Sequence, residues 1–131
     1  EVRVGAAPAI ISVICLPKMR AADAASAFLR GNRFLAPEAE RLGLINDSVA
    51  PDLLDDAVDE IVTDLLEGAP GALAAAKQLL ARVPSMDRDQ AFEWTADLSA
   101  SLFAGDEAQA GMAAFLERTP PPWSPRSIDE S

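Results

Sequence analysis

Proline and glycine divide most of this 131-residue chain into segments whose apolar residues recur at helical spacing. The plainest segment begins at Pro51 and ends before Gly68. Its apolar residues recur every three or four positions, so they share one face of a helix. They are Leu53, Leu54, Ala57, Val58, Ile61, Val62, Leu65 and Leu66. This pattern predicts a mostly α-helical chain.

The same punctuation predicts further helices on both sides of this one. They cover residues 20–30, 37–41 and 87–103, and two more begin at Pro70 and Asp106. In the helix from Pro70, the inward residues are predicted to be Leu73, Ala76, Leu79 and Leu80. Asp106 is predicted to cap the last helix, with Gln109 as its capping-box partner. That helix presents Ala108, Met112, Phe115 and Leu116 on one face.

Residues 6–17 form an apolar run with a proline near each end. Pro8 suits the first turn of a helix, where its missing N–H costs nothing, and Pro17 limits the run. Isoleucine and valine are frequent in so short a run, so a buried strand is the alternative. We predict a short helix. Residues 119–131 form a proline-rich tail, of which residues 119–125 are predicted to run extended as polyproline.

Charge and hydropathy exclude two classes of partner. Eleven basic and twenty-one acidic residues give a formal net charge of −10 without a Lys/Arg cluster, which argues against nucleic-acid binding. The longest apolar run, residues 6–16, contains Pro8 and Ser12 and is too short to span a bilayer. The acidic residues at 52, 55, 56, 59 and 60 lack a calcium-loop pattern and are interpreted as a solvated helix face. We predict no metal site.

The chain has one cysteine, Cys15, and no histidine. Cys15 lies in an apolar run and is predicted to be a buried structural thiol. A single cysteine cannot form an internal disulfide, so a reducing, cytoplasmic location is expected. The lack of histidine removes Ser-His and Cys-His catalysis from this chain alone. Carboxylates therefore remain as the candidate catalytic groups of this chain.

Three segments, in order, resemble the crotonase (enoyl-CoA hydratase/isomerase) family. The first, residues 1–9, places Gly5 and Pro8 at fixed spacing after Glu1. The second, residues 28–45, reads FLRGNRFLAPEAERLGLI, similar to the family stretch built on "leucine, threonine, glycine … alanine, glutamate, alanine … glycine, leucine, valine". The third, residues 103–118, resembles the family's closing helix. Together they cover nearly the whole chain.

The resemblance implies that the chain is the C-terminal part of an α/β crotonase-type spiral fold. Residues 1–50 would finish the catalytic core, and residues 51–118 would form a helical oligomerisation region of a homotrimer or hexamer. The chain begins without methionine and inside a family motif, as a fragment would. The first catalytic glutamate and the oxyanion-hole N–H groups are therefore expected upstream.

The resemblance also implies the chemistry. Glu1 would be the proton donor in adding water to a 2-enoyl-CoA thioester in fatty acid metabolism, and the proton acceptor in the reverse reaction. Val2, Val4 and Ala6 are expected to keep its surroundings apolar. The backbone N–H of Ala9 would hold the water. The acyl-CoA partner brings CoA as part of the substrate, and no other cofactor is implied.

Several alternatives stay open. Another crotonase-family reaction, such as isomerisation, competes with hydration, and a non-catalytic helical interaction module is the rival from another class. Lys77 and Arg82 suit either CoA phosphates or the negative end of their helix, and dipole compensation is favoured. Trp94, Phe103 and Phe115 are expected in the core or at subunit contacts.

Overall fold

The computed structural model describes residues 1–125, which contain seven α-helices joined by turns and 3-10 helices. The helices are α1 (Ala9–Cys15), α2 (Ala21–Arg30), α3 (Ala36–Arg41), α4 (Leu54–Leu66), α5 (Pro70–Arg82), α6 (Arg88–Ala104) and α7 (Asp106–Glu117). No strand occurs among these residues. The chain divides into two units, one from Glu1 to Leu54 and one that begins at Asp55. The mostly helical prediction is confirmed.

Proline and glycine bound the helices much as the sequence predicts. The run 6–17 forms α1 and then the 3-10 helix Leu16–Lys18, so the helix prediction is right and the strand alternative is wrong. Gly31 ends α2 in the left-handed conformation, with φ 59°, and its N–H donates to the Ala27 carbonyl. Asp87 caps α6 by accepting hydrogen bonds from the backbone N–H groups of Asp89 and Gln90.

The first unit has a small apolar core. Met19, Ala24 and Leu42 are buried, and they bring together the segment after α1, the helix α2 and the end of α3. Cys15, Ala27, Phe28 and Leu44 pack against them while staying partly exposed. The prediction of a buried Cys15 is therefore too strong, because the cysteine lies at the edge of this core.

An ion-pair network joins α2 to α3. Arg41 makes two hydrogen bonds of 2.7 Å to the carboxylate of Glu38 and a third of 3.3 Å to Asp23. Asp23 also pairs with Arg20, with Nη2 2.6 Å from its Oδ2. A hydrogen bond from Arg20, together with the charges of Arg20 and Arg41, holds the pKa of Asp23 below its ordinary value.

In the second unit, the apolar residues that are buried are small. Ala75 of α5 and Ala114 of α7 are buried. Leu73 and Leu79 are half-buried as predicted, but Ala76 is exposed and Leu80 is 78% exposed. The predicted inward face of α5 is thus partly wrong. This helix is alanine-rich on several sides, so its apolar pattern does not single out one face.

The N-terminus of α7 differs from its predicted capping box. Gly105, not Asp106, is the N-cap residue, and no side chain caps it. The Gln109 side chain instead donates to the Phe103 carbonyl at 3.0 Å, so a carbonyl in the last turn of α6 gains a hydrogen-bond partner. The neighbouring Glu107 accepts hydrogen bonds from the Gly71 N–H at 2.9 and 3.1 Å. One carboxylate in the first turn of α7 therefore also caps α5.

The tail turns back instead of running extended. The Ser124 N–H donates to the Pro121 carbonyl at 3.0 Å, and Ser124 is buried. Trp123 donates its indole N–H to the Glu67 carbonyl, and Ser124 donates its hydroxyl to the Glu67 carboxylate. The polyproline prediction is wrong for residues 122–125, because these contacts with Glu67 at the end of α4 fold the tail into a turn. Residues 126–131 lie outside the described residues.

Much apolar side-chain surface stays exposed within each unit. Residues of the predicted α4 face, such as Val58, Ile61 and Leu65, are about half exposed. Phe103 and Phe115 are exposed as well, and Phe115 keeps 82% of its surface accessible. Neither phenylalanine belongs to the core of the described unit. Within residues 1–125, no helix is both long enough and apolar enough to cross a membrane.

Candidate functional site

An open, largely apolar cavity of about 310 Å³ lies within the first unit. Its apolar wall comes from the end of α1, from α2 and from the segments around them. Those side chains are Val2, Pro8, Ile11, Cys15, Met19, Ala27, Phe28, Phe34 and Leu44. The polar lining comes from Glu1, Asn32 and Arg33. A mostly apolar pocket with a few polar groups is the usual form of a small-molecule site.

Glu1 lies at this cavity on a tightly closed backbone turn. Its own carbonyl oxygen accepts hydrogen bonds from the N–H groups of Val4 and Ala6, at 2.9 and 3.2 Å. Val2–Val4 form a 3-10 helix that ends at Gly5, where φ is 84°. Glycine suits this left-handed position, because it has no Cβ to clash with the backbone. The carboxylate side chain is exposed to solvent at the cavity.

The apolar surroundings of Glu1 differ from those that the sequence predicts. Val2 is half-buried and lines the cavity. Val4 is 84% exposed and Ala6 is exposed, so neither surrounds the glutamate within this unit. The apolar wall comes instead from Phe28 and Met19, which are distant in sequence. Periodicity near Glu1 could not reveal this wall, because it depends on long-range packing.

Ala9, the second predicted site residue, is the first residue of α1 and is exposed. Its backbone N–H donates to the Ala7 carbonyl oxygen at 2.7 Å. Ala9 is absent from the cavity lining, although the adjacent Pro8 contributes to it. To hold a water molecule, this N–H would have to share or exchange its present partner. Its role as a water ligand stays a prediction.

Sequence reasoning missed Asn32 and Arg33 as polar residues of the cavity. Both follow Gly31, whose left-handed backbone turns the chain at the end of α2. The sequence predicts that a helix ends at residue 30, just before Gly31, and the resemblance assigns residues 28–45 only to a family stretch. The end of this helix is the sequence signal that could have located Asn32 and Arg33. The chain at this helix end contacts the start of the protein, since Arg3 donates to the Arg30 carbonyl and to Asn32 Oδ1.

The two cations considered for phosphate binding lie in the second unit. Arg82 is the last residue of α5, and its guanidinium stands over the Trp94 ring, 4.3 Å from the centroid. This contact and the helix C-terminus together account for its position. Lys77 is exposed in the middle of α5, not in its last turn. Trp94 is half-buried beneath Arg82.

Within residues 1–125, no three histidine, cysteine or acidic side chains cluster closely enough to hold a metal ion.

Comparison with known proteins assigns the chain to one family. The family model described as enoyl-CoA hydratase/isomerase matches residues 1–126. The carnitinyl-CoA dehydratase of Salmonella arizonae is 29% identical over 128 residues, a match that covers 94% of this chain and 49% of that protein.

Solved structures agree. The enoyl-CoA hydratase of Mycobacterium smegmatis is similar with a TM-score of 0.84 and 28% identity, covering 93% of this chain and 48% of that one. The enoyl-CoA hydratase of Mycobacterium avium is 43% identical with a TM-score of 0.58, and the match covers 94% of this chain and 48% of that one. The chain thus spans about half the length of the relatives that it matches.

Proposed function

Because this chain belongs to the enoyl-CoA hydratase/isomerase family, we propose that it supplies one acid/base carboxylate, Glu1, for the reversible hydration of a 2-enoyl-CoA thioester. Its fold is the helical C-terminal part of the crotonase-type α/β fold. The observation that carries the proposal is the position of Glu1, which lies at the apolar cavity of the first unit. An apolar wall beside a carboxylate suits an acyl chain whose reacting carbons lie near a proton donor.

Hydration needs two coordinated events at neighbouring carbons. The oxygen of water forms a bond to the β-carbon while a proton reaches the α-carbon. In this proposal Glu1 delivers the α-proton, and it removes the same proton when water is eliminated. A second carboxylate, which activates the water, and the N–H groups that stabilise the thioester enolate would come from residues outside this chain. Positioned general acid–base groups typically contribute about 10²–10⁴-fold each.

The apolar wall supports an acyl-thioester substrate over a small polar one. Phe28, Met19 and Leu44 offer only apolar surface, whereas Asn32 and Arg33 offer hydrogen-bond donors at the same cavity. An acyl chain would bury apolar area against the former, which stabilises binding by about 25 cal/mol per Å² removed from water. CoA is then part of the substrate, and the reaction as proposed uses no further cofactor.

The proposal is tested with Glu1→Gln in the natural full-length protein. Glutamine keeps the shape of the side chain but cannot exchange a proton, so kcat for hydration should fall at least about 10²-fold. Turnover is followed by the loss of ultraviolet absorbance of the conjugated thioester. Glu40→Gln is the matched control, because Glu40 is exposed on α3 and lies outside the cavity lining. Near-normal turnover of Glu1→Gln would refute the assignment.

Oligomerisation is a second part of the proposal. Residues 51–118 would form the helical region through which the full-length protein assembles as a homotrimer or hexamer. The exposed apolar residues of α4 and α7 support this, because monomeric proteins rarely leave contiguous apolar surface open to water. We also propose a cytoplasmic location, since the one cysteine of this chain cannot form a disulfide within it.

A further inference from the structure

The turn that carries Glu1 is fastened to the end of α2 by the side chain of Arg3. Arg3 Nε donates to the Arg30 carbonyl oxygen at 3.1 Å, and its Nη2 donates to Asn32 Oδ1. The two acceptors lie 27 and 29 residues away in sequence. The Arg30 carbonyl belongs to the last turn of α2, where carbonyl groups lack helical partners and a cation is favourable. The guanidinium therefore satisfies an acceptor that the helix itself leaves open.

An apolar contact fixes the same turn beside this polar one. A Cβ atom built on Gly31 would lie only 2.6 Å from Val2 Cγ2, so the Val2 side chain occupies the space that any other residue at 31 would need. Gly31 also has a positive φ of 59°, which disfavours other residues. Val2 and Arg3, the two residues after Glu1, thus both contact the Arg30–Asn32 segment.

This attachment holds Glu1 beside the wall of the cavity. Glu1, Val2, Gly31 and Asn32 all line the same cavity, so the segment that Arg3 holds is also part of the cavity wall. The backbone of the turn closes on itself through the Glu1 carbonyl, but those hydrogen bonds do not connect it to α2. The side-chain contacts of Val2 and Arg3 with the Arg30–Asn32 segment are what connect the turn to the end of α2.

We infer that Arg3 is a positioning residue, which holds the Glu1 carboxylate at the cavity by binding the Arg30 carbonyl and the Asn32 side chain. This inference rests on the proposed function of Glu1. Arg3 does not line the cavity, so it acts through the turn and not on the substrate. Arginine suits this role because its planar fork presents two donors to two acceptors at once, which a lysine ammonium at the same place cannot match.

The test compares Arg3→Ala and Arg3→Lys in the natural full-length protein. Displacing a reacting group by about 1 Å can cost about 10²-fold in rate, so Arg3→Ala should lower kcat about tenfold to a hundredfold, with KM within about twofold of wild type. Arg3→Lys should recover part of kcat, since its ammonium can still reach one acceptor. Lys18→Ala is the matched control, because it removes an exposed positive charge outside the cavity.

A second readout follows the turn itself. The amide hydrogens of Val4 and Ala6 should exchange with solvent faster in Arg3→Ala than in wild type, because the turn loses its attachment. Unchanged kcat, a raised KM with unchanged kcat, or unchanged exchange would each overturn the inference. A fully active Arg3→Ala beside an inactive Glu1→Gln would refute the role of Arg3 alone. Full activity of Glu1→Gln would refute the proposed function, and the role of Arg3 with it.

Discussion

Two glycines of the first unit share one backbone angle but have different surroundings. Gly5 and Gly43 both have φ 84°. A Cβ on Gly5 would meet nothing within 4 Å, whereas a Cβ on Gly43 would lie 2.6 Å from the backbone oxygen of Lys18. Because φ is the same, alanine would carry left-handed strain of about 1–2 kcal/mol at either position. Any difference between the two alanine variants therefore measures the close approach at Gly43.

We expect Gly43→Ala to lower the free energy of unfolding by at least about 1 kcal/mol more than Gly5→Ala. The crowding atom belongs to the backbone, so it cannot move aside as the end of a flexible side chain would. Urea unfolding of both variants gives the comparison, provided that their m-values agree. Equal destabilisation would show that the contact between Gly43 and Lys18 does not constrain the fold.

The ion pairs between α2 and α3 make the free energy of unfolding depend on pH, and the sign of this dependence follows from the pKa shifts. Arg20 and Arg41 hold the folded-state pKa of Asp23 below its unfolded value. Hydrogen bonds and charge from Arg41 lower the pKa of Glu38 in the same way. A lowered carboxyl pKa stabilises the folded state above the unfolded pKa, and this contribution is lost as the pH falls through the folded pKa.

The stability advantage of wild type over Asp23→Asn should accordingly be larger at about pH 6 than at about pH 3. Thermal unfolding at both pH values measures it. Because the arginine partners are exposed to solvent, the advantage at about pH 6 should also shrink in high salt. An advantage that stays constant with pH would mean that the Asp23 charge does not contribute to the attachment of α2 to α3.

Elements whose limits depend on local chemistry could be predicted from the sequence, and those that depend on distant contacts could not. The limits of α2 and α6 agree within one residue with the predicted helices 20–30 and 87–103, because the glycine that ends one and the N-cap that starts the other are local devices. The turn at Trp123 was missed, since its partner Glu67 lies 56 residues away. The cavity was missed for the same reason. The resemblance predicts a role for Glu1 from its spacing to Gly5 and Pro8, but the wall beside it comes from α2 and its neighbours.

For the whole molecule, the chain represents about half the length of the relatives that it matches. We expect the natural full-length protein to have, by light scattering, the mass of three or six subunits. Apolar side chains such as Ile61 and Leu65, half exposed within their own unit, would then be protected from solvent in the assembly. A monomeric mass across a wide concentration range would contradict the proposed assembly.

Isotope incorporation from solvent tests the proposal that Glu1 delivers the α-proton during hydration. The natural full-length protein and its Glu1→Gln variant would each convert a 2-enoyl-CoA in D₂O enriched in ¹⁸O. For wild type we expect one solvent deuterium at the α-carbon and one solvent oxygen at the β-carbon of each product molecule, and for Glu1→Gln a rate of incorporation lower by at least about 10²-fold. A product without solvent oxygen, or incorporation by Glu1→Gln at the wild-type rate, would contradict the claim.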